Sequence, residues 1–339
     1  MGENNQATVI EYKIGIVGPT RVGKTSMITS LLEQGKELLA GTDVSIEAVG
    51  KTKARINRYR DELRGSLMAD EFNPGGMSGT QEPFTIELAM SVGSSKLTWA
   101  ILDYPGGWID EESRPSDRQN DWNNCQAWIK ESIVLLVPID SAVVMESSTK
   151  AELQAANTTL QISQAGEVAR EWVKGRIKKG EPGLLILVPV KCETYFSDNG
   201  GKRDKSADLV DRIQKLYQDL LNAVRQEIDG ATNKPEILIQ YHPIDTIGCV
   251  EIKDARWIEE GVRLGFQADY LVRPPRQPRP KGADGLLISI CRQIASLEKN
   301  KKRGIFSRVW RWATEEDEKL NKAIEKLQSK DLGTRVKHL

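Results

Sequence analysis

The sequence predicts an α/β fold in which a mostly parallel sheet lies between two layers of helices. Residues 132–140 and 184–190 are short runs that are apolar almost throughout, as expected for strands buried on both faces of a parallel sheet. Longer stretches with apolar residues at helical spacing separate the strands. Strands that alternate with helices in this way pair in parallel. The 339 residues fit one enlarged α/β domain or two ordinary domains.

The first elements along the chain are a strand, a glycine-bearing loop and a helix. Residues 9–17 end in a compact apolar run and predict the strand, and residues 25–39 predict the helix. The charged stretch 47–68 predicts a solvated helix inserted before the next strand. Residues 73–83 (NPGGMSGTQEP) must form a loop because they are rich in Gly and Pro.

One antiparallel strand is expected within the otherwise parallel sheet. The strands predicted at 84–92 and 96–103 are separated by only three residues, and so short a link can join only antiparallel neighbours. A polar loop over 104–120 and a short helix around 122–130 follow.

The second half of the chain continues the alternation as far as residue 250, beyond which the pattern loosens. The expected elements are helices over 146–179, 207–228 and 286–297, with strands at 184–190 and 236–241. Residues 273–281 (RPPRQPRPK) predict a stiff, basic, extended segment because of their four prolines.

Three regions are therefore predicted: a flexible N-terminus at 1–9, a single domain at 10–298 and a helical extension at 299–339. The extension begins with a basic and aromatic stretch, 299–312 (KNKKRGIFSRVWRW). Such a stretch can pack on its own domain, dock into the groove of a partner protein or lie on an anionic membrane surface.

A second helix is expected at the end of the extension. Thr314 and Asp317 form a capping box, and Leu320, Ile324 and Leu327 follow on one side of the helix. Because a lone helix of this length is marginal in water, it needs a surface to lie against.

Composition argues against several classes of function. The chain has 48 basic and 48 acidic residues, whereas a dedicated nucleic-acid binder needs a basic excess. No run of 18 apolar residues is present, so no membrane span is expected. The four cysteines form no Cys-x-x-Cys pair and the N-terminus has no secretory pattern. We therefore expect a cytoplasmic protein, with peripheral membrane attachment through 299–312 as an alternative.

The strongest motif lies at residues 18–25, here called the phosphate loop. Gly18, Gly23, Lys24 and Thr25 match the pattern G-x4-G-K-[ST] between a predicted strand and a predicted helix. In this pattern the backbone N–H groups wrap a nucleotide phosphate, the lysine reaches the β- and γ-oxygens, and the threonine hydroxyl ligates Mg²⁺. The predicted nucleotide contacts here are Gly18, Arg21, Val22, Gly23, Lys24, Thr25 and Ser26.

A second motif, D-x-x-G, begins at the end of strand 96–103 with Asp103 and closes with Gly106. An acid at this place can hold a magnesium-bound water, and the Gly106 N–H can sense a γ-phosphate. The competing interpretation is a polar strand end that feeds a turn.

The two motifs, together with the hairpin before Asp103, resemble the translation-factor-like (TRAFAC) class of P-loop GTPases, which includes Ras-like and dynamin-like members. The resemblance covers residues 10–295. It implies a three-layer Ras-like domain that binds GTP or GDP with Mg²⁺ and acts as a molecular switch. The expected readout is association with a partner protein or with a second copy of the chain.

The resemblance also implies residues that recognise magnesium and the base. Thr80 would contact Mg²⁺ and the γ-phosphate, with Ser78 as its local competitor. Lys191 and Glu193 stand where the family has [NT]-K-x-D, although the Asn or Thr is absent and the acid is one carbon longer. Residues 246–248 would offer a backbone N–H to guanine.

Catalysis is expected to be slow. Gly107 stands where the family usually has the glutamine that orients the attacking water. Arg21 matches an arginine of the guanylate-binding proteins and atlastins that looks like an internal arginine finger, a device worth roughly 10³–10⁵ in rate. Alternatively, Arg21 points into solvent or pairs with an acidic residue of the loop 104–120. The implied catalytic residues are Lys24, Arg21, Thr80 and Gly106, and the implied metal ligands are Thr25, Thr80 and Asp103.

Two other functions remain open from the sequence. The missing glutamine favours a nucleotide-binding scaffold subunit with little hydrolysis, and the degenerate base motif leaves room for an ATPase.

Overall fold

An eight-stranded sheet with helices on both faces forms the centre of the computed structural model, which describes residues 10–74, 80–201, 203–232, 234–261, 263–302 and 315–339. Across the sheet the strands are β11 (Lys337–His338), β8 (Ile237–Tyr241), β7 (Gly183–Val190), β6 (Val134–Asp140), β1 (Ile10–Ile16), β5 (Ser95–Asp103), β4 (Phe84–Val92) and β2 (Ser45–Ala48). Every residue of β6 and β7 is buried, as their apolar runs predict.

The predicted α/β class with a mostly parallel sheet is confirmed. Strands β5, β1, β6, β7 and β8 pair in parallel, and β4 pairs antiparallel with β5, as the short link requires. The expectation of one antiparallel strand is wrong, because β11 also runs against its neighbour β8 within the described chain. Strand β11 has only two residues, too few to produce a hydrophobic pattern.

The helices form a layer on each face of the sheet. They are α1 (Lys24–Leu39), α2 (Lys51–Ser66), α3 (Gln119–Glu131), α4 (Ser141–Met145), α5 (Lys150–Thr159), α6 (Ile162–Lys179), α7 (Ser206–Leu216), α8 (Gln218–Gly230), α9 (Ala283–Lys302) and α10 (Glu315–Gln328). One core lies under α1, α9 and α10, and the other lies under α3, α6 and α8. None of the described helices is both long and apolar enough to cross a bilayer.

Several predicted helices are shorter than expected. The inserted helix begins at Lys51, because the preceding residues Ser45–Ala48 pair with β4 as strand β2. Within the stretch 146–179 the first helix begins only after Thr149, which caps α5. The stretch then divides into two helices at Gln161, which adopts a left-handed φ of 51°. The stretch 207–228 likewise divides at Tyr217.

A second, smaller sheet lies where the sequence pattern loosens. It consists of β3 (Glu71–Phe72), β10 (Arg263–Val272) and β9 (Val250–Glu260). Its inner residues pack with Tyr59 and Leu63 of α2 in a third apolar cluster. We call α2 and this sheet the cap.

The described part of the predicted extension packs on the domain itself. Leu320, Ile324 and Leu327 of α10 are buried in the core shared with α1 and α9. The extension is not wholly helical, since β11 lies near its end. The predicted boundary at residue 298 falls inside α9, which continues to Lys302. The flexible N-terminus (1–9), Thr314 of the capping box and most of 299–312 lie outside the described residues.

Candidate functional site

The phosphate loop connects β1 to α1 at the carboxyl edge of the parallel sheet. Arg21 (φ 60°) and Gly23 (φ 109°) adopt left-handed conformations that turn the chain into the first residue of α1. The N-terminus of a helix carries free N–H groups and partial positive charge, so this turn is suited to an anion. Val22 is buried under the loop, whereas the Arg21 side chain is exposed at the cavity edge.

Lys24 lies inside the phosphate loop. Its ammonium donates to the carbonyls of Gly18 (3.1 Å) and Pro19 (2.9 Å). Burial lowers the pKa of Lys24 to about 8, although the charge of Asp103 acts in the opposite direction. Among the described residues, no carboxylate forms an ion pair with Lys24. The loop therefore holds a buried lysine that contacts two carbonyls and is not paired with any described carboxylate.

Asp103, at the end of β5, is fully buried beside Thr80. The Thr80 hydroxyl donates to Oδ2 of Asp103 at 2.7 Å, so the structure brings together two of the predicted metal ligands. The third, Thr25, lines the same cavity as Thr80. Within the described chain, Oδ1 of Asp103 has no hydrogen-bond partner. The competitor Ser78 lies outside the described residues.

Sequence reasoning missed a third partner of this pair, Arg55. Its guanidinium donates to Oδ2 of Asp103 (3.3 Å) and to the Thr80 hydroxyl (3.1 Å). Arg55 lies on α2, the helix that was expected to be solvated. No spacing in the sequence indicates that α2 approaches β5.

Gly106 lies directly against the phosphate loop. A Cβ at this position would lie 2.1 Å from the Thr20 nitrogen and 2.2 Å from the carbonyl carbon of Pro19. Glycine is therefore required here for close approach of two backbone segments. Gly106 also begins a 3₁₀ turn, Gly106–Ile109, which contains the buried Trp108.

The residues predicted to recognise the base lie at the end of β7. Lys191 donates to the carboxylate of Asp140 and to the Arg21 carbonyl (3.4 Å), which joins this segment to the phosphate loop. Glu193 is buried and accepts hydrogen bonds from the N–H groups of Ile247 (2.7 Å) and Gly248 (3.0 Å). Burial, with a contribution from Asp245, raises the pKa of Glu193 to about 7.

Two segments that are distant in sequence hydrogen-bond to the loop at 246–248 or to the residue that precedes it. The extended segment 273–281 supplies Arg273, which donates to the Gly248 carbonyl at 2.8 Å. Arg335, near the end of the chain, pairs with both oxygens of the buried Asp245 at 3.0 and 2.9 Å. The loop that carries the predicted base contacts is thus tied to the segment 273–281 and to the turn that precedes β11.

One cavity is lined both by the phosphate loop and by Glu193 with Ile247. Its remaining wall belongs to the cap, with aromatic side chains that sequence reasoning missed: Tyr59, Phe72 and Tyr270. The Tyr59 hydroxyl lies 2.5 Å from Oγ of Ser26, so the cap contacts the phosphate loop directly. These rings come from three separate segments that meet in one apolar cluster, where Phe72 of β3 and Tyr270 of β10 lie opposite each other in the small sheet.

The charged residues that follow Gly107 are tied to other partners. Arg114 donates to the Trp108 carbonyl at 2.8 Å and lies over the Trp122 ring. Arg118 pairs with Asp117 and Asp121. None of these side chains lines the cavity, so none stands in the place of the missing glutamine.

Known proteins offer no further guide to this site. The chain matches none of the protein-family models, and no curated protein matches it either. Its function must be argued from the site itself.

Proposed function

We propose that the protein binds GTP with Mg²⁺ in the cavity between the phosphate loop and Glu193, and hydrolyses it slowly as a nucleotide-controlled switch. The main support is a single cavity that both Lys24 and Glu193 line. Lys24, at the N-terminus of α1, is buried and has no ion-pair partner among the described residues, and Glu193 is a buried carboxyl group. Phosphates would lie at the Lys24 end and the base at the Glu193 end.

The donor set around Asp103 fits a magnesium ion. Mg²⁺ prefers oxygen ligands, and it is usually bound by one or two carboxylates with substrate phosphates and water. Within the described chain Oδ1 of Asp103 has no hydrogen-bond partner, Thr80 bonds to Oδ2, and both Thr25 and Thr80 line the cavity. When bound, the ion would neutralise charge on the β- and γ-phosphates.

The choice of guanine rests on the chemistry of Glu193. A carboxylate accepts hydrogen bonds, and the guanine edge presents two N–H donors side by side. Adenine presents an acceptor nitrogen at the matching place, which would face the carboxylate unfavourably. One Glu193 oxygen is taken by the amides of Ile247 and Gly248, which fixes the position of the other.

The order of the strands in the sheet supports the same proposal. The strand with D-x-x-G, β5, lies between β1 and its antiparallel partner β4, in line with the hairpin that suggested the resemblance. A switch of this kind would order residues 73–83 and 104–120 around bound GTP and signal to a partner protein or a second copy. All four cysteines are buried and free, in keeping with a cytoplasmic protein.

The second candidate function is a nucleotide-binding scaffold that hardly hydrolyses. Gly107 favours it, because the described cavity lining contains no glutamine to orient water. In that case GTP binds but is not turned over.

The proposal is tested by calorimetric titration of GTP and ATP, each with Mg²⁺, after the nucleotide that co-purifies with the protein has been identified. Lys24→Ala should weaken GTP binding by roughly 10- to 150-fold or abolish it, because a charged hydrogen bond contributes about 1.5–3 kcal/mol. The matched control is Lys174→Ala, which removes an exposed lysine paired with Glu171 on α6. Wild-type GTP affinity in the Lys24 variant would overturn the proposal, and tighter binding of ATP than of GTP would favour an ATPase.

A further inference from the structure

Arg55 holds the two side chains that the proposed function assigns to magnesium. Its guanidinium is within hydrogen-bond distance of Asp103 and Thr80, and it lies 4.6 Å from the centre of the Phe84 ring. Among the described residues, Arg55 is the one cation within ion-pair distance of Asp103.

This contact compensates a buried charge. Asp103 is fully buried, and a buried carboxylate without a partner is strongly destabilising. Arg55 is half-buried and reaches the carboxylate from α2, so it can leave without unfolding the sheet. The pair therefore compensates the Asp103 charge whenever no metal ion is bound to it.

The same contact opposes the binding of a magnesium ion, even though Oδ1 of Asp103 has no hydrogen-bond partner among the described residues. Mg²⁺ binds oxygen ligands at about 2.0–2.1 Å and requires near-octahedral geometry. Arg55 bonds to both of the oxygens that face each other at this point, Oδ2 of Asp103 and Oγ1 of Thr80. Two cations sharing these oxygens would also repel each other at short range.

A second contact of the same helix reaches the phosphate loop. Tyr59 follows Arg55 by one helical turn, so the two side chains lie on one face of α2. Tyr59 bonds to Ser26, while Arg55 bonds to Asp103 and Thr80. One helix face thus contacts both the phosphate loop and the proposed metal ligands.

We propose that Arg55 is an intramolecular counter-ion that competes with Mg²⁺ for Asp103 and Thr80, so that loading of the site displaces its guanidinium. This inference rests on the proposed function. It makes the face of α2 that carries Arg55 and Tyr59 the surface that responds to the metal–nucleotide state.

The test compares Arg55→Gln with Arg58→Gln, a matched control that removes an exposed arginine from the same helix. Mn²⁺ serves as the metal probe, and its binding to nucleotide-free protein is measured by electron paramagnetic resonance. Arg55→Gln should bind Mn²⁺ about 5- to 150-fold more tightly, the usual range for coupling between two competing ligands. It should also lower the melting temperature in EDTA, and added Mn²⁺ should restore it. Arg58→Gln should change neither quantity.

A second variant keeps the inference testable if the Arg55→Gln protein does not fold. Arg55→Lys keeps the charge but loses the fork that bonds both oxygens, so it should fold and bind Mn²⁺ more tightly than wild type. If neither variant changes Mn²⁺ affinity while wild type binds GTP, the inference is overturned and the proposed function stands. If wild type binds neither GTP nor Mn²⁺, both are overturned.

Discussion

At the residue scale, the proposed recognition of guanine by Glu193 should depend on pH, because the pKa of this carboxyl is raised. Its folded pKa of about 7 lies above the ordinary value of 4.5, because burial disfavours the charged form. The protonated acid is therefore favoured in the folded state. The stability it contributes is present at low pH and is lost as the pH rises from about 4.5 through 7.

Guanine binding should have the opposite pH dependence, because two N–H donors need an ionised acceptor. GTP affinity should rise by about tenfold from pH 6 to pH 8 and then level off, since the ionised fraction rises by that factor across a pKa near 7. ATP affinity should change much less. Calorimetry at a series of pH values, with buffers of different ionisation enthalpy, checks both the slope and the proton release.

Glu193→Gln removes both the charge and its titration. This variant should lose about 1.5–3 kcal/mol of GTP binding, lose little ATP binding and show a flat pH profile. Glu171→Gln, on the exposed face of α6, is the control. Equal losses for the two nucleotides would contradict guanine recognition by Glu193 and move the assignment towards an ATPase.

At the scale of elements, α10 is part of the domain core. The sequence required only that this helix lie against some surface, whereas the three alternatives of the domain itself, a partner protein or a membrane concerned residues 299–312, most of which lie outside the described residues. Leu320, Ile324 and Leu327 recur at helical spacing and are buried against α9 and the β4–β5 side of the sheet. For the described part of the extension, packing on the domain itself is what the structure supports.

Leu327→Ala should therefore lower the free energy of unfolding by about 2–5 kcal/mol, the usual range for such a truncation in a core. GTP affinity should stay unchanged, because no residue of α10 lines the cavity. Urea unfolding measures the first quantity and calorimetry the second. Glu325→Ala, on the exposed side of the same helix, is the control. An unchanged urea midpoint in Leu327→Ala would mean that α10 does not pack on the sheet in solution.

At the scale of the whole molecule, the predictable parts are those that local sequence determines. Strands β6 and β7 could be predicted because burial on both faces demands an unbroken apolar run. Strand β9 could not, because it lies in a small sheet with much of its surface exposed and carries charged residues that hide any alternation. The start of α5 at Lys150 depended on Thr149, whose capping box can be recognised in the sequence once it is sought.

The same division holds for the candidate site. The phosphate loop and the D-x-x-G segment are each one continuous stretch of sequence, so the order of their residues alone indicates their chemistry. Arg55, Tyr59 and Tyr270 come from segments that meet only in the folded cap, and their residue types are common on surfaces. Arg335 is a similar case, since its pairing with Asp245 spans 90 positions of the chain.

The close contact of Gly106 with the phosphate loop should make the fluorescence of a nearby tryptophan sensitive to phosphate binding. Trp108 is buried in the same 3₁₀ turn, two residues away, so any shift of Gly106 upon phosphate binding must change the surroundings of this indole. Tryptophan emission should therefore change when GTP and Mg²⁺ are mixed with the protein, and stopped-flow fluorescence would then time the event without a dye. The signal should disappear in Trp108→Phe and persist in Trp128→Phe, which alters a partly exposed indole on α3. A signal that survives in Trp108→Phe would place the moving segment elsewhere.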